Sequence, residues 1–203
     1  MVESDALIKI FISSQENVDI SDRLESKPNS RIGAQDNAED IAKFVQRQLG
    51  VANLLQGRLP DSLKQKISGV LIAGAQGMFR WVDLQIQSLR SLKVAADIDK
   101  RLGRLPQTLE GSYLEVFEQI ADSGEHAFRL AVFTFQWLFY ARQPIAVADF
   151  ALLASVRLEE RLQHTAQEVM DVCQNLIASN YAGIFGFVHL SVRESSRVLK
   201  TED

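Results

Sequence analysis

A histidine and a short glycine-containing turn are the features of this sequence whose residue types and spacing could do chemistry. His189 lies in the run Phe187-Val188-His189-Leu190-Ser191-Val192-Arg193-Glu194, where a strand is expected to pass into a helix. An imidazole N–H at such a junction can donate to an oxygen of an anionic ligand, or it can satisfy a backbone carbonyl. Gly77 opens the run Gly77-Met78-Phe79 at the start of a predicted helix. Because glycine has no Cβ, another backbone or a flat ligand can approach this turn closely.

The familiar motifs of enzyme active sites are absent from the 203 residues. No Gly-x-x-x-x-Gly-Lys-[Ser/Thr] phosphate loop occurs, and no apolar strand ends in paired acids that would hold magnesium. The three histidines and single cysteine have no metal-ligand spacing, and Gly-x-Ser-x-Gly does not appear. We therefore expect a nonenzymatic chain that holds no metal and no cofactor by itself.

Composition and charge predict a cytoplasmic globular protein. The chain has 46% hydrophobic residues, enough for a sizeable core. Its net charge of −4 argues against nucleic acid and anionic membrane as partners, because both require a concentrated positive face. No apolar run reaches the roughly 18 residues that span a bilayer. The lone Cys173 excludes an intramolecular disulfide, and its apolar surroundings favour buried packing over nucleophilic chemistry.

An apolar segment near the start predicts a buried strand. Residues 7–12, Leu-Ile-Lys-Ile-Phe-Ile, are followed by Ser13, Ser14 and Gln15 at the expected carboxyl end, where open α/β sheets bind ligands. A buried strand needs neighbours on both edges, yet the next fifty residues predict only loops and helices. Residues 7–12 are therefore expected to be a remnant strand of an α/β core, followed by a polar loop over residues 21–36.

Helical periodicity dominates the next segment. One helix is predicted from Asp36 or Asn37 to about Gly50, and another starts at Pro60 or Asp61. The central helix runs to about Leu92, and its apolar residues are spaced at i, i+3, i+7 and i+10: Phe79, Val82, Ile86 and Leu89. The simplest explanation of this stripe, and of Trp81 beside it, is that these residues pack in a helical core.

The second half predicts further helices and then a hairpin. Helices are expected over residues 94–102, 108–122, 126–140, 147–153 and from Thr165 or Gln167 towards Asn180. The helix over 126–140 is apolar nearly all round, which predicts a buried central helix. Residues 181–190 combine aromatic and β-branched residues with glycines, which predicts a small hairpin with Gly183 or Gly186 at the bend. Three helices followed by a hairpin is the order of a winged helix.

Several of these runs, taken together and in order, resemble fungal NACHT-type STAND NTPases, the NOD-like receptor relatives that often carry ankyrin repeats. The matching runs are Asp36-Asn-x-x-Asp-Ile-x-x-Phe-Val45, Gly77-Met-Phe-Arg-Trp-Val82, Arg104-Leu-Pro-Gln-Thr-Leu109 with Tyr113, and Phe187-x-His-x-Ser-x-x-Glu194. The resemblance extends from Ile8 to Glu194. Ser195 and Ser196 depart from it, since the family has an aromatic residue and a leucine there.

The resemblance implies roles for individual residues. In the family, a strand is followed by Ser-Ser-Arg, and this segment senses the γ-phosphate. Ser14 and Gln15 stand at the corresponding positions here. Gln15 replaces the arginine and cannot present a guanidinium charge. Gly77, Met78 and Phe79 correspond to a turn presented to the adenine ring. His189 corresponds to the winged-helix histidine that reaches the β-phosphate of ADP.

The resemblance also implies an architecture and a function. We expect a mainly α fold with three parts: a core remnant over 1–35, a helical domain over 36–104 and a winged-helix domain with a β-hairpin over 105–203. These parts would close over ADP or ATP held by a NACHT core that the sequence does not contain, with protein partners and self-association in signalling. The alternative is an autonomous helical module for protein–protein interaction. DNA binding is disfavoured because residues 165–180 contain no Lys or Arg.

Overall fold

A computed structural model describes residues 18–30, 32–158 and 163–195 of the chain. This part is mainly α-helical and carries one two-stranded antiparallel sheet, which confirms the mainly α fold class. The predicted strand over residues 7–12, with Ser14 and Gln15, lies outside the described residues. None of the described helices has the length and apolar character needed to cross a bilayer.

Six helices make up the first half of the described chain. They are α1 (Val18–Leu24), α2 (Ala38–Val51), a 3₁₀ helix (Leu54–Gly57), α3 (Asp61–Gly74), α4 (Phe79–Arg90) and α5 (Ala95–Leu102). Acidic Glu39 and Asp40 lie in the first turn of α2, where they complement the positive end of the helix dipole. The prediction of loop structure for all of residues 21–36 was wrong at its start, because α1 continues to Leu24.

These helices enclose a first hydrophobic cluster. Its buried members recur at helical spacing on α2, α3, α4 and α5 and include Ile41, Val45, Leu49, Ile67, Leu71, Trp81, Val82, Ile86, Leu89, Ile98 and Leu102. The predicted stripe of α4 therefore does face a core, with Phe79 as its only partly exposed member. Burial of this many apolar side chains is the main contribution to the stability of this half.

The second half of the described chain contains five helices and the sheet. They are α6 (Leu109–Ala121), α7 (Glu125–Tyr140), α8 (Val147–Arg157), α9 (Ala166–Val172), β1 (Ile177–Ser179), β2 (Phe185–Phe187) and the short α10 (Leu190–Ser195). Local caps fix two of the helix starts. The Thr108 hydroxyl accepts from the Gly111 N–H, and Thr165 and Glu168 form a capping box at α9. The Thr165 backbone and hydroxyl hydrogen bonds lower the pKa of Glu168.

The hairpin begins earlier than the sequence predicted. The predicted helix towards Asn180 instead ends at Val172, and Ile177 pairs with Phe187 in the sheet. Gln174 and Asn175 have φ values of 51° and 57°, in the left-handed region, which stops the helix and turns the chain into β1. Gly183 lies in the turn with a φ of 67°, so it takes the predicted place at the bend.

A second hydrophobic cluster joins the helices and sheet of this half. Its buried members include Tyr113, Phe117, Ile120, Leu130, Ala131, Phe135, Phe150, Val169, Cys173, Leu176, Ile177, Phe185 and Val192. The predicted central helix over residues 126–140 forms as α7 and packs against α6, α8, α9 and β2, but only part of its surface is buried. Leu130, Ala131, Thr134 and Phe135 are buried, whereas Phe128 is exposed. Other aromatic residues of α7 are partly buried and contact neighbouring rings. The Phe133 ring, for example, stacks on that of Phe150.

Helix α4 contacts both clusters. Its Leu84 belongs to the second cluster, although the neighbouring Val82 belongs to the first. The Gln85 carboxamide nitrogen donates to the Ser112 hydroxyl on α6 at 2.8 Å. Arg101 of α5 pairs with Glu115 of α6 through both oxygens. The proposed domain boundaries at residues 36, 104 and 105 stay predictions.

Candidate functional site

His189 lies two residues beyond β2, at the start of the segment that leads into α10. Its side chain is exposed. The ring Nδ1 lies 2.6 Å from the Ser191 Oγ and accepts a hydrogen bond from the Ser191 backbone N–H at 3.2 Å. Val188 and Leu190 on either side are exposed apolar residues. The ring is thus held on its Nδ1 side, on a surface that a ligand or partner can reach.

A buried tyrosine continues this hydrogen-bonded chain into the protein. The Tyr113 hydroxyl lies 2.8 Å from the Ser191 Oγ, and Tyr113 is buried on α6 in the second cluster. Helix α10 packs against both α6 and β2. The position of His189 is therefore determined by two elements, the hairpin that precedes it and α6 beneath it.

The turn at Gly77 is shaped by another part of the backbone. Gly77 has a φ of 80°, and a Cβ added there would lie 2.7 Å from the Cα of Ala34. Close approach at this glycine was expected from either a backbone or a flat ligand. In the structure the segment containing Ala34 takes this space, so the glycine is explained by chain packing on that side.

A substitution tests this account of Gly77. Gly77→Ala is expected to lower the free energy of unfolding by about 2 kcal/mol, because alanine is strained at positive φ and its Cβ would meet the backbone of Ala34. Denaturant unfolding measures the change. The matched control is Gly69→Ala in α3, where an added Cβ meets nothing within 4 Å. That variant is expected to gain about 0.5–1 kcal/mol. Equal effects of the two substitutions would contradict the account.

Met78 and Phe79 have different surroundings. Met78 is half-buried and packs against the first cluster. The Phe79 ring is 37% exposed and meets Phe44 edge-on, with 5.4 Å between ring centroids. Core packing thus accounts for Met78, while Phe79 keeps part of its ring free to contact another surface.

The predicted site residues do not form one constellation in the described chain. No hydrogen bond, ion pair or ring contact joins His189 to Gly77, Met78 or Phe79 within the described ranges. The connection between them is indirect, through α6, which contacts both α4 and α10. Ser14 and Gln15 lie outside the described residues.

Sequence reasoning missed a polar cleft between α4 and α6. It has a volume of about 270 Å³, and Gln85, Ser88, Ser112, Glu115 and Gln174 are among its lining residues. Gln85 is buried, and its carboxamide oxygen has no hydrogen-bond partner in the structure. One signal could have revealed it: Gln85 is a polar residue on the apolar stripe of α4, three residues after Val82 and four before Leu89.

Cys173 is a packing residue. It is buried in the second cluster, and burial raises the pKa of its thiol to about 12, with an opposing effect from the Thr134 hydroxyl. The thiol is therefore neutral at physiological pH and a poor nucleophile. Within residues 18–30, 32–158 and 163–195, no group of three or more His, Cys, Asp or Glu side chains is arranged to hold a metal ion.

Comparison with protein-family models, curated proteins and solved structures finds no match to this chain.

Proposed function

We propose that this chain is a nonenzymatic regulatory part of a NACHT-type STAND switch, in which a helical domain and a winged-helix domain close over ADP or ATP. The nucleotide would be bound by a NACHT core outside these 203 residues. One observation carries the proposal. His189, in the run Phe-x-His-x-Ser-x-x-Glu, is exposed directly after a hairpin and held by Ser191 on its Nδ1 side.

The order of elements around the hairpin supports the winged-helix assignment. Helices α7, α8 and α9 are followed by β1 and β2. Ala146, between α7 and α8, forms an antiparallel bridge with Ile184, and the Val147 N–H donates to the Gly183 carbonyl at 2.8 Å. Three helices followed by a hairpin is the order expected of a winged helix.

The proposed mechanism is a nucleotide-dependent shift between closed and open conformations. In the closed state the His189 imidazole donates an N–H to a phosphate oxygen of ADP, which links the winged-helix domain to the core. Exchange of the nucleotide removes this contact and favours the open state. The open state exposes a surface for self-association or for other protein partners. The location proposed for this activity is the cytoplasm.

The direct test uses the polypeptide that contains both this chain and its nucleotide-binding core. His189→Ala is expected to weaken ADP binding about 10- to 150-fold, the equivalent of one hydrogen bond to a charged group. The measurement is the ADP retained per polypeptide after purification, together with the dissociation constant. His126→Ala, at an exposed histidine on α7, is the matched control. Unchanged ADP retention and self-association in His189→Ala would refute the phosphate contact.

Titration calorimetry on the 203-residue chain gives a second test. The chain alone is expected to bind ADP and ATP no more tightly than the high-micromolar range, because its sequence contains no phosphate loop. Tight, magnesium-dependent binding would instead place a complete phosphate site within this chain and refute the need for a separate core.

A second candidate function is an autonomous module for protein–protein interaction. The exposed apolar side chains of Val188 and Leu190, on either side of His189, favour it. The two candidates differ in one respect. Leu190→Ser, which removes apolar surface without adding a charge beside His189, would weaken partner binding by such a module, whereas ADP binding through His189 to a joined core should be unchanged. DNA binding stays disfavoured, since α9 carries Glu168 and Asp171 and no basic residue.

A further inference from the structure

We propose that Ser191 and Tyr113 are positioning residues that fix the His189 imidazole as the Nε2–H tautomer. The ring would then present an N–H donor to an anionic oxygen. This inference concerns the ring itself, and only its extension to a phosphate rests on the proposed function.

The backbone N–H of Ser191 indicates which ring nitrogen of His189 is the acceptor. An amide N–H can only donate, and the Ser191 N–H lies 3.2 Å from the His189 Nδ1 with hydrogen-bond geometry. The Nδ1 is therefore the acceptor and carries no proton. In the neutral ring the proton must then be on Nε2, so the nitrogen that does not contact Ser191 is the donor.

This assignment also determines which hydroxyl is the donor and which the acceptor in the contacts of Ser191 and Tyr113. Because Nδ1 has no proton, the Ser191 hydroxyl at 2.6 Å donates to it as well. The Ser191 Oγ is thereby left as an acceptor for the Tyr113 hydroxyl at 2.8 Å. The chain of donors therefore runs from Tyr113 to Ser191 to His189, an assignment made from the hydrogen-bonding network.

Because Tyr113 is buried, the hydrogen-bonded chain can hold the exposed His189 ring in place. Tyr113 is fully buried on α6, so its hydroxyl is fixed by packing, while His189 is exposed. An exposed side chain without such partners would sample several rotamers and lose that freedom on binding. Anchoring the ring beforehand reduces the entropy lost when a ligand binds to Nε2.

The test is nitrogen-15 spectroscopy of the imidazole rings in the 203-residue chain, with His126 and His164 as internal references. We expect His189 to show an unprotonated Nδ1 and a protonated Nε2, with little of the other tautomer. Ser191→Ala and Tyr113→Phe remove a hydroxyl contact but keep the backbone N–H of residue 191, so each is expected to shift both nitrogens part of the way towards values averaged over the two tautomers. Ser191→Thr, which keeps the hydroxyl, should restore the wild-type pattern. A protonated Nδ1 in the wild-type chain, or no change in either variant, would overturn the proposal.

A second readout separates this inference from the proposed function. In the polypeptide that includes the core, Ser191→Ala should weaken ADP binding about two- to tenfold, as expected for one neutral hydrogen bond, and Ser191→Thr should restore it. A fixed tautomer, with ADP binding weakened by neither Ser191→Ala nor His189→Ala, would refute the phosphate contact and leave the positioning role established. An averaged tautomer in the wild-type chain would refute the positioning role whatever the nucleotide result.

Discussion

Trp81→Ala is expected to lower the free energy of unfolding by about 3–5 kcal/mol, as for other large buried aromatic residues. The indole is buried in the first cluster, and its Nε1–H donates to the Pro106 carbonyl at 2.9 Å. It fills the space beside Gly74, where an added Cβ would lie only 2.5 Å from the indole Cη2. Alanine would leave a cavity and remove the hydrogen bond together. Guanidinium unfolding followed by circular dichroism measures the loss.

Trp81→Phe separates the two contributions. Phenylalanine keeps most of the apolar packing and loses the donor to Pro106, so we expect a smaller loss of about 1–2 kcal/mol. A loss below about 1 kcal/mol in Trp81→Ala would show that the indole is not a core residue.

Phe150→Ala is expected to lower the free energy of unfolding by a similar amount, about 3–5 kcal/mol. Phe150 is buried on α8 at the centre of an aromatic group. Its ring centroid lies 5.6 Å from that of Phe133, 6.2 Å from that of Trp137 and 5.5 Å from that of Phe185. Truncation removes all three ring contacts and leaves a cavity between α7, α8 and the sheet.

The matched control for Phe150→Ala is Phe128→Ala on α7. The Phe128 ring is 40% exposed, so its truncation should cost clearly less, about 1 kcal/mol. Near-ultraviolet circular dichroism and chemical unfolding report on both variants. Comparable losses at the two positions would mean that the aromatic group around Phe150 is not a packed core.

The Trp81 and Phe150 variants also report on cooperativity. Because α4 contributes Trp81 to one cluster and Leu84 to the other, we expect the described helices to unfold in a single transition. Either substitution should then shift that transition as a whole. Two separate transitions, of which each variant shifts only one, would show that the clusters fold independently.

Local sequence rules predicted most helices and their buried faces. Apolar spacing placed α2, α3 and α4 within a few residues of their observed bounds, because a helix is stabilised by contacts three and four residues apart. The same rules failed for α9. Leu176 and Ile177 continue the apolar helical pattern of Val169 and Val172, but the left-handed conformations of Gln174 and Asn175 end the helix before it reaches Leu176.

The surroundings of the candidate site could be predicted less well, because they depend on contacts between distant residues. Tyr113 and Ser191 are 78 positions apart, and no local pattern relates them. The approach of Ala34 to Gly77 likewise joins two segments separated by α2, the 3₁₀ helix and α3. Sequence predicted that Gly77 permits close approach, and only the fold identifies the approaching segment.

Ser112 and Tyr113 are consecutive residues on α6, and their hydroxyl groups form hydrogen bonds with two different helices. Ser112 accepts from Gln85 of α4, and Tyr113 reaches Ser191 at the start of α10. Turning α6 about its long axis would displace both side chains at once. A rotation of α6 imposed at its contact with α10 would therefore also disturb the hydrogen bond between Ser112 and Gln85 of α4.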